Sequence, residues 1–173
     1  GRYSYFGPLD ILKKSFAIEA LDEEPRPNYN VAPTQSVPAI VKEQEQTWLK
    51  HLRWGLIPFW AKDPKVGSRM INARAETVAE KRSFKNAFKK RRCLVVANGY
   101  YEWTGSKGDK QPYFISTTGD NPFGFAGLWE SWKEKDKETT IQSCTIITAD
   151  ASSGIEHIHN RMPVILNPDF YHK

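Results

Sequence analysis

Cysteine is scarce in this sequence, with only Cys93 and Cys144 among 173 residues. Two cysteines are too few for a disulfide framework, and their separation along the chain does not match metal-ligand spacing. Cys93 opens the apolar run at 93–97, so we expect it to be a small core residue. The scarcity of cysteine favours a reducing, cytoplasmic compartment.

Long apolar segments and several well-known site motifs are also missing. No run approaches the ~20 apolar residues that a membrane helix needs, and no apolar stretch follows a basic start as in a secretory signal. There is no glycine-rich phosphate loop and no nucleophile elbow, and the four histidines lack ligand spacing with acidic residues. We therefore expect no membrane partner and no cofactor, whether nucleotide or metal.

The composition is that of a folded protein. Hydrophobic residues make up 39% of the chain and aromatic residues 13%, which excludes a disordered or low-complexity sequence. A chain of this length can bury roughly two thirds of its unfolded surface in one core. No linker or internal repeat divides the sequence, so we predict one domain over residues 1–173.

Strands connected by turns account for most of the apolar pattern, with few helices. Strands are predicted at 37–41, 47–54, 71–76, 93–103, 113–116, 123–132 and 139–148, helices at 8–16 and from 77 to about 90, and a loop at 19–30. The second helix is predicted from the capping-box pattern of Thr77 and Glu80. The fold class that follows is α+β, with a curved, mostly antiparallel and barrel-like β-sheet and a few peripheral helices.

Positive charge is concentrated in one part of the chain. Residues 61–92 carry eleven Lys and Arg against three acidic residues, whereas the whole chain has a net charge of +5. Such asymmetry is typical of proteins that bind a phosphate backbone. A solvated, lysine-rich helix face would give the same pattern, so charge alone does not decide between the two.

Three polar residues in apolar or aromatic sequence surroundings are candidate site residues. Asn72 lies in the alternating segment 71–76, which places it on one strand face with Arg74. Glu102 lies between two aromatic residues, a setting suited to acid–base chemistry but also compatible with an exposed strand face. His159 is favoured over His157 because a Met-Pro step shortly after it restrains the backbone, although a lone histidine is more often structural than catalytic.

Seven segments run in order over nearly the whole chain: GRY at 1–3, YNVAP at 29–33, WGLIPFW at 54–60, INARAET at 71–77, RCLVVANGYYEW at 92–103, FAGLW at 125–129 and IHNRMP at 158–163. Together they resemble the SRAP family, the SOS response-associated peptidase family of abasic-site-processing proteins.

The resemblance implies a DNA-repair protein that senses abasic sites in single-stranded DNA and caps them by a covalent crosslink. In this family the mature protein begins with a cysteine, whose α-amine and thiol form a thiazolidine with the C1′ aldehyde of the opened sugar. Gly1 matches the residue that follows this cysteine, so the nucleophile would precede Gly1. Neither Cys93 nor Cys144 can substitute, because an internal cysteine has no free α-amine.

The resemblance also implies roles for individual residues. Asn72 would hold the N-terminal residue and the sugar, Glu102 would deprotonate or orient the amine, and His159 would act as general acid–base in ring opening and in reversal of the crosslink. The DNA-binding residues implied in the same way are Arg2, Asn30, Pro33, Trp54, Trp60, Arg74 and Arg161. Tryptophans such as Trp54 and Trp60 are more often core residues than base-stacking groups. Proteins that bind single-stranded nucleic acid do, however, use aromatic faces beside a basic groove to stack the bases.

Two other functions remain open from the sequence. One is a module that binds single-stranded nucleic acid without chemistry, and the other is a cysteine peptidase that acts mainly on its own N-terminus. We expect a monomer in the cytoplasm, associated with the nucleoid if the source is bacterial.

Overall fold

The computed structural model describes residues 1–173 and consists mainly of β-strands. The strands are β1 (Arg2–Tyr5), β2 (Ala20–Leu21), β3 (Asn28–Val31), β4 (Ser36–Glu43), β5 (Gln46–Trp54), β6 (Asn72–Arg74), β7 (Arg92–Ala97), β8 (Gly99–Thr104), β9 (Gln111–Ile115), β10 (Phe123–Lys133), β11 (Thr140–Asp150) and β12 (Arg161–Pro163). The helices are α1 (Leu9–Phe16) and α2 (Lys85–Lys90), with short 3₁₀ helices at Pro64–Arg69 and Pro168–Phe170. None of them is both long and apolar enough to span a membrane.

Five strands close into a barrel in the order β11, β10, β7, β4, β5 and back to β11. Neighbouring strands are antiparallel except β5 and β11, which run parallel where Arg53 pairs with Ser143 and Trp54 with Cys144. At the rim, β2 adds to β5, and β6 and β12 add to β11. The predicted α+β fold, with a curved, mostly antiparallel, barrel-like sheet and few helices, is confirmed.

The two hairpins that build the barrel lie where strand-like runs on either side of a polar or charged turn predicted them. β4 and β5 are joined by Gln44 and Glu45, which both have positive φ, of 50° and 64°. A two-residue turn of this kind matches the right-handed twist of the strands it joins. β10 and β11 pair over seven residues, from Gly127 opposite Ile146 to Lys133 opposite Thr140.

β7 is a central strand, and its residues from Cys93 to Ala97 are all buried. Cys93 is thus a core residue, as its apolar surroundings predicted. The predicted long strand at 93–103 is nevertheless wrong, because the chain bends at Asn98 and continues as β8 in a second sheet of order β3-β1-β8-β9.

The buried Asn98 side chain stabilises this bend by forming hydrogen bonds with backbone groups that have no partner in either sheet. Its Oδ1 accepts a hydrogen bond from the Phe6 backbone N–H at 2.8 Å, and its Nδ2 donates to the Asp120 carbonyl at 3.2 Å. Unpaired backbone groups are costly when buried, so this side chain makes it possible to pass from one sheet to the other.

The predicted helix at 77–90 is wrong over most of its length, since only α2 at Lys85–Lys90 is helical. A continuous helix turns about 100° per residue and would place Val78 and Ala87 on opposite faces. Both are buried in one apolar cluster with Phe84, so the chain between them forms successive turns instead. The Thr77 hydroxyl has no hydrogen-bond partner, and the capping box is therefore not formed.

Two further boundaries differ from the prediction. The predicted loop at 19–30 contains β2 and most of β3, and β3 pairs with β1 in a register that places Val31 opposite Tyr3. The predicted strand at 71–76 is confirmed only as Asn72–Arg74, where the expected alternation holds: Ala73 is buried and its two neighbours are exposed.

Candidate active site

The second sheet meets the barrel at a pocket that is open to solvent. We call it the N-terminal pocket, because the first three residues of the chain line it. Its lining residues are Gly1, Arg2, Tyr3, Trp54, Asn72, Tyr100, Tyr101, Glu102, Phe125, Ile146, Thr148, His159, Arg161, Met162 and Pro163. It brings together residues from both sheets and from the segment before β12.

The N-terminus is fixed in this pocket by strand pairing. β1 runs antiparallel to β8, with Arg2 opposite Tyr101. Gly1 lies against the Trp54 ring, since a Cβ added to Gly1 would lie 3.4 Å from that ring. Trp54 is 2% exposed, and its indole N–H donates to the Ile71 carbonyl at 3.0 Å, so the wall is rigid.

Asn72 reaches the pocket because β6 adds to the barrel beside β11. The two strands are parallel, with Asn72 opposite Ile146 and Arg74 opposite Thr148. The alternation of the strand turns Ala73 into the apolar cluster below and leaves the Asn72 side chain exposed. An uncharged amide with donor and acceptor atoms is thus available at the pocket.

Glu102 and His159 lie next to each other in the pocket lining. A Glu102 carboxylate oxygen lies 3.9 Å from His159 Nδ1, and the two side chains are 23% and 45% exposed. His159 Nδ1 also lies 3.1 Å from the Arg161 backbone N–H and 3.0 Å from the Arg161 carbonyl. The first contact requires Nδ1 as acceptor and the second as donor, so the tautomer of His159 selects between them.

Arg161 holds the segment that carries His159. Its guanidinium donates to both carboxylate oxygens of Glu76 at 2.8 and 3.1 Å, to Asp150 at 2.8 Å and to the Thr148 carbonyl at 3.0 Å. These hydrogen bonds from Arg161 lower the pKa of Glu76 to about 2. Arg161 was predicted to contact phosphate, but its guanidinium is bonded to the carboxylates of Glu76 and Asp150. These bonds connect the end of β6 and strand β11 to the segment that carries His159.

Other predicted DNA-binding residues lie at or near the rim of the pocket. The guanidinium of Arg2 donates to the Asn30 side-chain oxygen at 3.2 Å. Pro33 precedes Thr34, whose backbone N–H donates to the Trp54 carbonyl at 2.8 Å. Arg2 and Trp54 thus line the pocket with Gly1, whereas Asn30 and Pro33 do not line it and are connected to it only through these contacts.

The remaining predicted residues do not line the pocket. Trp60 is 38% exposed, and the Arg82 guanidinium lies 4.4 Å from its ring centroid. Arg74 is exposed, with its Nε 3.7 Å from Glu76. The basic segment 61–92 is also divided, since Lys89, Lys90 and Arg92 line a separate groove.

Several residues of the pocket were not identified from the sequence. The phenol rings of Tyr3 and Tyr100 contact Phe125 edge-on at centroid distances of 5.7 and 6.1 Å, and together they form the aromatic floor. Tyr100 shares the Glu102 face of β8, so the alternation of that strand could have indicated it. Phe125 and Thr148 come from β10 and β11, and no local pattern reveals which barrel residues face a pocket.

Both cysteines of the chain are buried, and neither lines the pocket. Burial raises the pKa of the Cys144 thiol to about 12 and that of Cys93 well above its ordinary value. Because the thiolate is the nucleophilic form, neither sulfur is suited to attack a substrate.

Comparison with known proteins places this chain in a family. The pattern that describes SRAP, the SOS response associated peptidase family, matches residues 1–173. The chain is 42% identical to abasic site processing protein YoqW of Bacillus subtilis over 172 residues, which cover 98% of this chain and 76% of that protein. It is 32% identical to abasic site processing protein HMCES of Xenopus tropicalis, over 83% of this chain and 52% of that protein.

Solved structures show the same fold. A Bacteroides thetaiotaomicron protein superposes with a TM-score of 0.83 at 28% identity, covering 99% of this chain and 78% of that one. A Bordetella bronchiseptica protein superposes with a TM-score of 0.81 at 26% identity, covering 98% of this chain and 85% of that one. The match over all 173 residues, with relatives above 30% identity, shows that the chain belongs to the SRAP family.

Proposed function

We propose that this chain processes abasic sites in single-stranded DNA by forming a covalent crosslink with the opened sugar. The observation that carries the proposal is the N-terminal pocket, in which Gly1 lies with Asn72, Glu102 and His159. Relatives that match nearly the whole chain are named abasic site processing proteins, which supports an abasic site as the substrate.

The chemistry requires a 1,2-aminothiol, which only an N-terminal cysteine provides. Its amine adds to the C1′ aldehyde and expels water to give an imine; its thiol then adds across the C=N bond, forming a C–S bond and placing the proton on nitrogen. α-Amines have an ordinary pKa near ~8, so a usable fraction is neutral at physiological pH. A cysteine ahead of Gly1 would lie about 3.8 Å further along the chain, at the same pocket.

The polar residues of the pocket suit the proton transfers in this sequence. Glu102 accepts the proton of the attacking amine, and His159 delivers a proton to the sugar oxygen as the ring opens. Asn72 holds the N-terminal residue and the sugar. The reverse steps use the same groups, so the crosslink is also released through Glu102 and His159.

In this proposal, DNA reaches the pocket along the surface formed by the predicted DNA-binding residues. Arg2 and Arg74 contact flanking phosphates, while Asn30, Pro33, Trp54 and Trp60 shape the groove. Arg161 contributes chiefly by holding His159, because its guanidinium is already bonded to Glu76 and Asp150.

Incubation of the cysteine-extended chain with matched oligonucleotides tests this function. An abasic single strand should give an adduct that survives denaturation, whereas the intact single strand should give none. Reversible binding to both without an adduct would instead favour a non-covalent module. Cleavage of the chain's own N-terminus without any adduct would favour a peptidase, and buried Cys93 and Cys144 argue against one that uses an internal thiol.

The Arg74→Ala variant should weaken binding to every single-stranded sequence, because a phosphate contact carries no base information. Loss of one such contact should reduce the slope of log affinity against log salt by about 0.7. Lys133→Ala is the control, since Lys133 is a similarly exposed cation at the far end of the β10–β11 hairpin. Fluorescence anisotropy across a salt series measures the affinity and the salt slope of both variants. An unchanged slope for Arg74→Ala would show that Arg74 does not contact the DNA.

A further inference from the structure

The second sheet has one face packed on the protein core and one face open to solvent. On the inner face, Tyr3, Tyr100 and Ile115 lie opposite one another in the register, and both tyrosines are buried. The outer face of such an antiparallel sheet is usually polar. Here it is aromatic, since Trp103 on β8 and Phe114 on β9 are 39% and 47% exposed. Clustered exposed apolar groups are a mark of interaction sites.

Three rings form this outer surface. Tyr101 and Trp103 are two residues apart on β8, and Phe114 lies opposite Tyr101, so all three side chains extend from one face of the sheet. The ring centroid of Tyr101 lies 5.1 Å from that of Phe114 and 6.3 Å from that of Trp103. The rings therefore form one continuous surface, which we call the outer aromatic face.

The outer aromatic face is held in place by contacts within the sheet. The Tyr101 hydroxyl donates to the Tyr29 carbonyl at 2.9 Å, which ties β8 to β3 across the intervening strand β1. The Phe114 ring lies directly over Gly99, where any Cβ would overlap the ring. A ligand thus meets a preformed surface, and little ordering of side chains opposes its binding.

The outer aromatic face adjoins the N-terminal pocket and carries positive charge. Arg2 lies opposite Tyr101 in the sheet, and both residues also line the pocket. Arg2 and Glu102 are the only charged residues in the four strands, and Glu102 extends from the inner face, so the cation alone belongs to the outer one. The turn between β8 and β9 adds two lysines and one aspartate.

We propose that the outer aromatic face stacks the unpaired bases that flank the abasic site. Aromatic rings beside positive charge hold single strands without regard to sequence, because every base has a π-face. Open four-stranded sheets that present aromatic side chains stack bases in this way in other nucleic-acid-binding folds. The inference rests on the proposed function and supplies a reason for preferring single-stranded DNA, since the bases of a duplex are stacked on each other and cannot reach these rings.

Two oligonucleotides that differ only in their bases test the inference without covalent chemistry. Both carry a central tetrahydrofuran abasic site in a single strand. In the second, the two nucleotides on each side are also tetrahydrofuran, which keeps the phosphates and removes the bases. The chain that begins at Gly1 should bind the first more tightly. Trp103→Leu should lose at least about five-fold in affinity for the first, as for one stacked base, and should bind the second unchanged.

Three further variants separate stacking from other effects of the substitution. Trp103→Phe keeps a π-face and should retain most of the affinity, whereas Phe114→Leu should show the same selective loss as Trp103→Leu. Phe170→Leu is the matched control, because Phe170 is 50% exposed but lies outside the second sheet and does not line the N-terminal pocket. It should bind both oligonucleotides as the parent does. All these rings are exposed, so thermal unfolding should be close to that of the parent.

Several results would overturn the inference and leave the proposed function intact. They are equal loss on both oligonucleotides, parent affinity in Trp103→Leu and Phe114→Leu, and a parent chain that does not prefer the strand with bases. A DNA-free dimer of the parent that Trp103→Leu dissociates would assign the face to a second copy of the chain and overturn it as well. Failure of the cysteine-extended chain to form any adduct with a natural abasic site would instead overturn the proposed function itself.

Discussion

In a chain that carries a cysteine ahead of Gly1, Glu102→Gln should slow adduct formation with abasic DNA by about 10²- to 10⁴-fold, the usual contribution of a general acid–base group. Glutamine keeps the shape of the side chain but cannot accept a proton from the amine. Non-covalent affinity should change little, because Glu102 is only 23% exposed, lines the pocket and is not among the residues proposed to contact phosphate. Single-turnover gel assays with abasic single-stranded DNA measure the rate, and anisotropy measures the affinity.

His159→Asn should show a loss of similar size, both in crosslink formation and in release. Because His159 Nδ1 is 3.9 Å from the Glu102 carboxylate, the two groups act as a unit, and the double variant should lose much less than the product of the single losses. His157→Asn is the control, as His157 is an exposed histidine two residues away that does not line the pocket. If both single variants form and release the crosslink at the parent rate, Glu102 and His159 have a structural role and not a catalytic one.

The parts of the fold that could be predicted are those whose sequence pattern is local. The β4–β5 and β10–β11 hairpins follow from strand-like runs on either side of a polar or charged turn, and both are present. The helix at 77–90 failed because Val78 and Ala87 are both drawn into a cluster that β6 and β11 complete. Burial against distant strands overrode a local capping pattern, which is the usual limit of propensity arguments.

The strand at 93–103 failed for a related reason. Its residues are apolar enough to continue as one strand, but Asn98 pairs with Phe6 and Asp120, which are distant in sequence. That bend turns Tyr100 and Glu102 toward the N-terminus, so the break in the strand creates the site. No pattern within 93–103 encodes partners that lie beyond it.

The candidate site itself was predictable chiefly through resemblance to a family. Asn72, Glu102 and His159 are isolated polar residues whose meeting depends on barrel closure. Strand periodicity could supply only single faces, the one that Asn72 shares with Arg74 and the one that Glu102 shares with Tyr100. The bonding of Arg161 to Glu76 and Asp150 could not be foreseen, because these residues lie 85 and 11 positions away along the chain.

A denaturing gel of three chains that differ only at the N-terminus tests the central proposal most directly. The first carries a cysteine ahead of Gly1, the second a serine, and the third begins at Gly1; each is incubated with abasic single-stranded DNA and heated. Only the cysteine form has an amine and a thiol on one residue, so it alone should give a heat-stable adduct without reductant. The other two should give at most an imine that borohydride traps and that leads to strand cleavage by β-elimination.

The serine form is the essential control, because it keeps chain length and amine position and removes only the sulfur. A heat-stable, reductant-independent adduct from the cysteine form alone is the result that the proposal predicts. The same adduct from the serine form or from the chain that begins at Gly1 would contradict it.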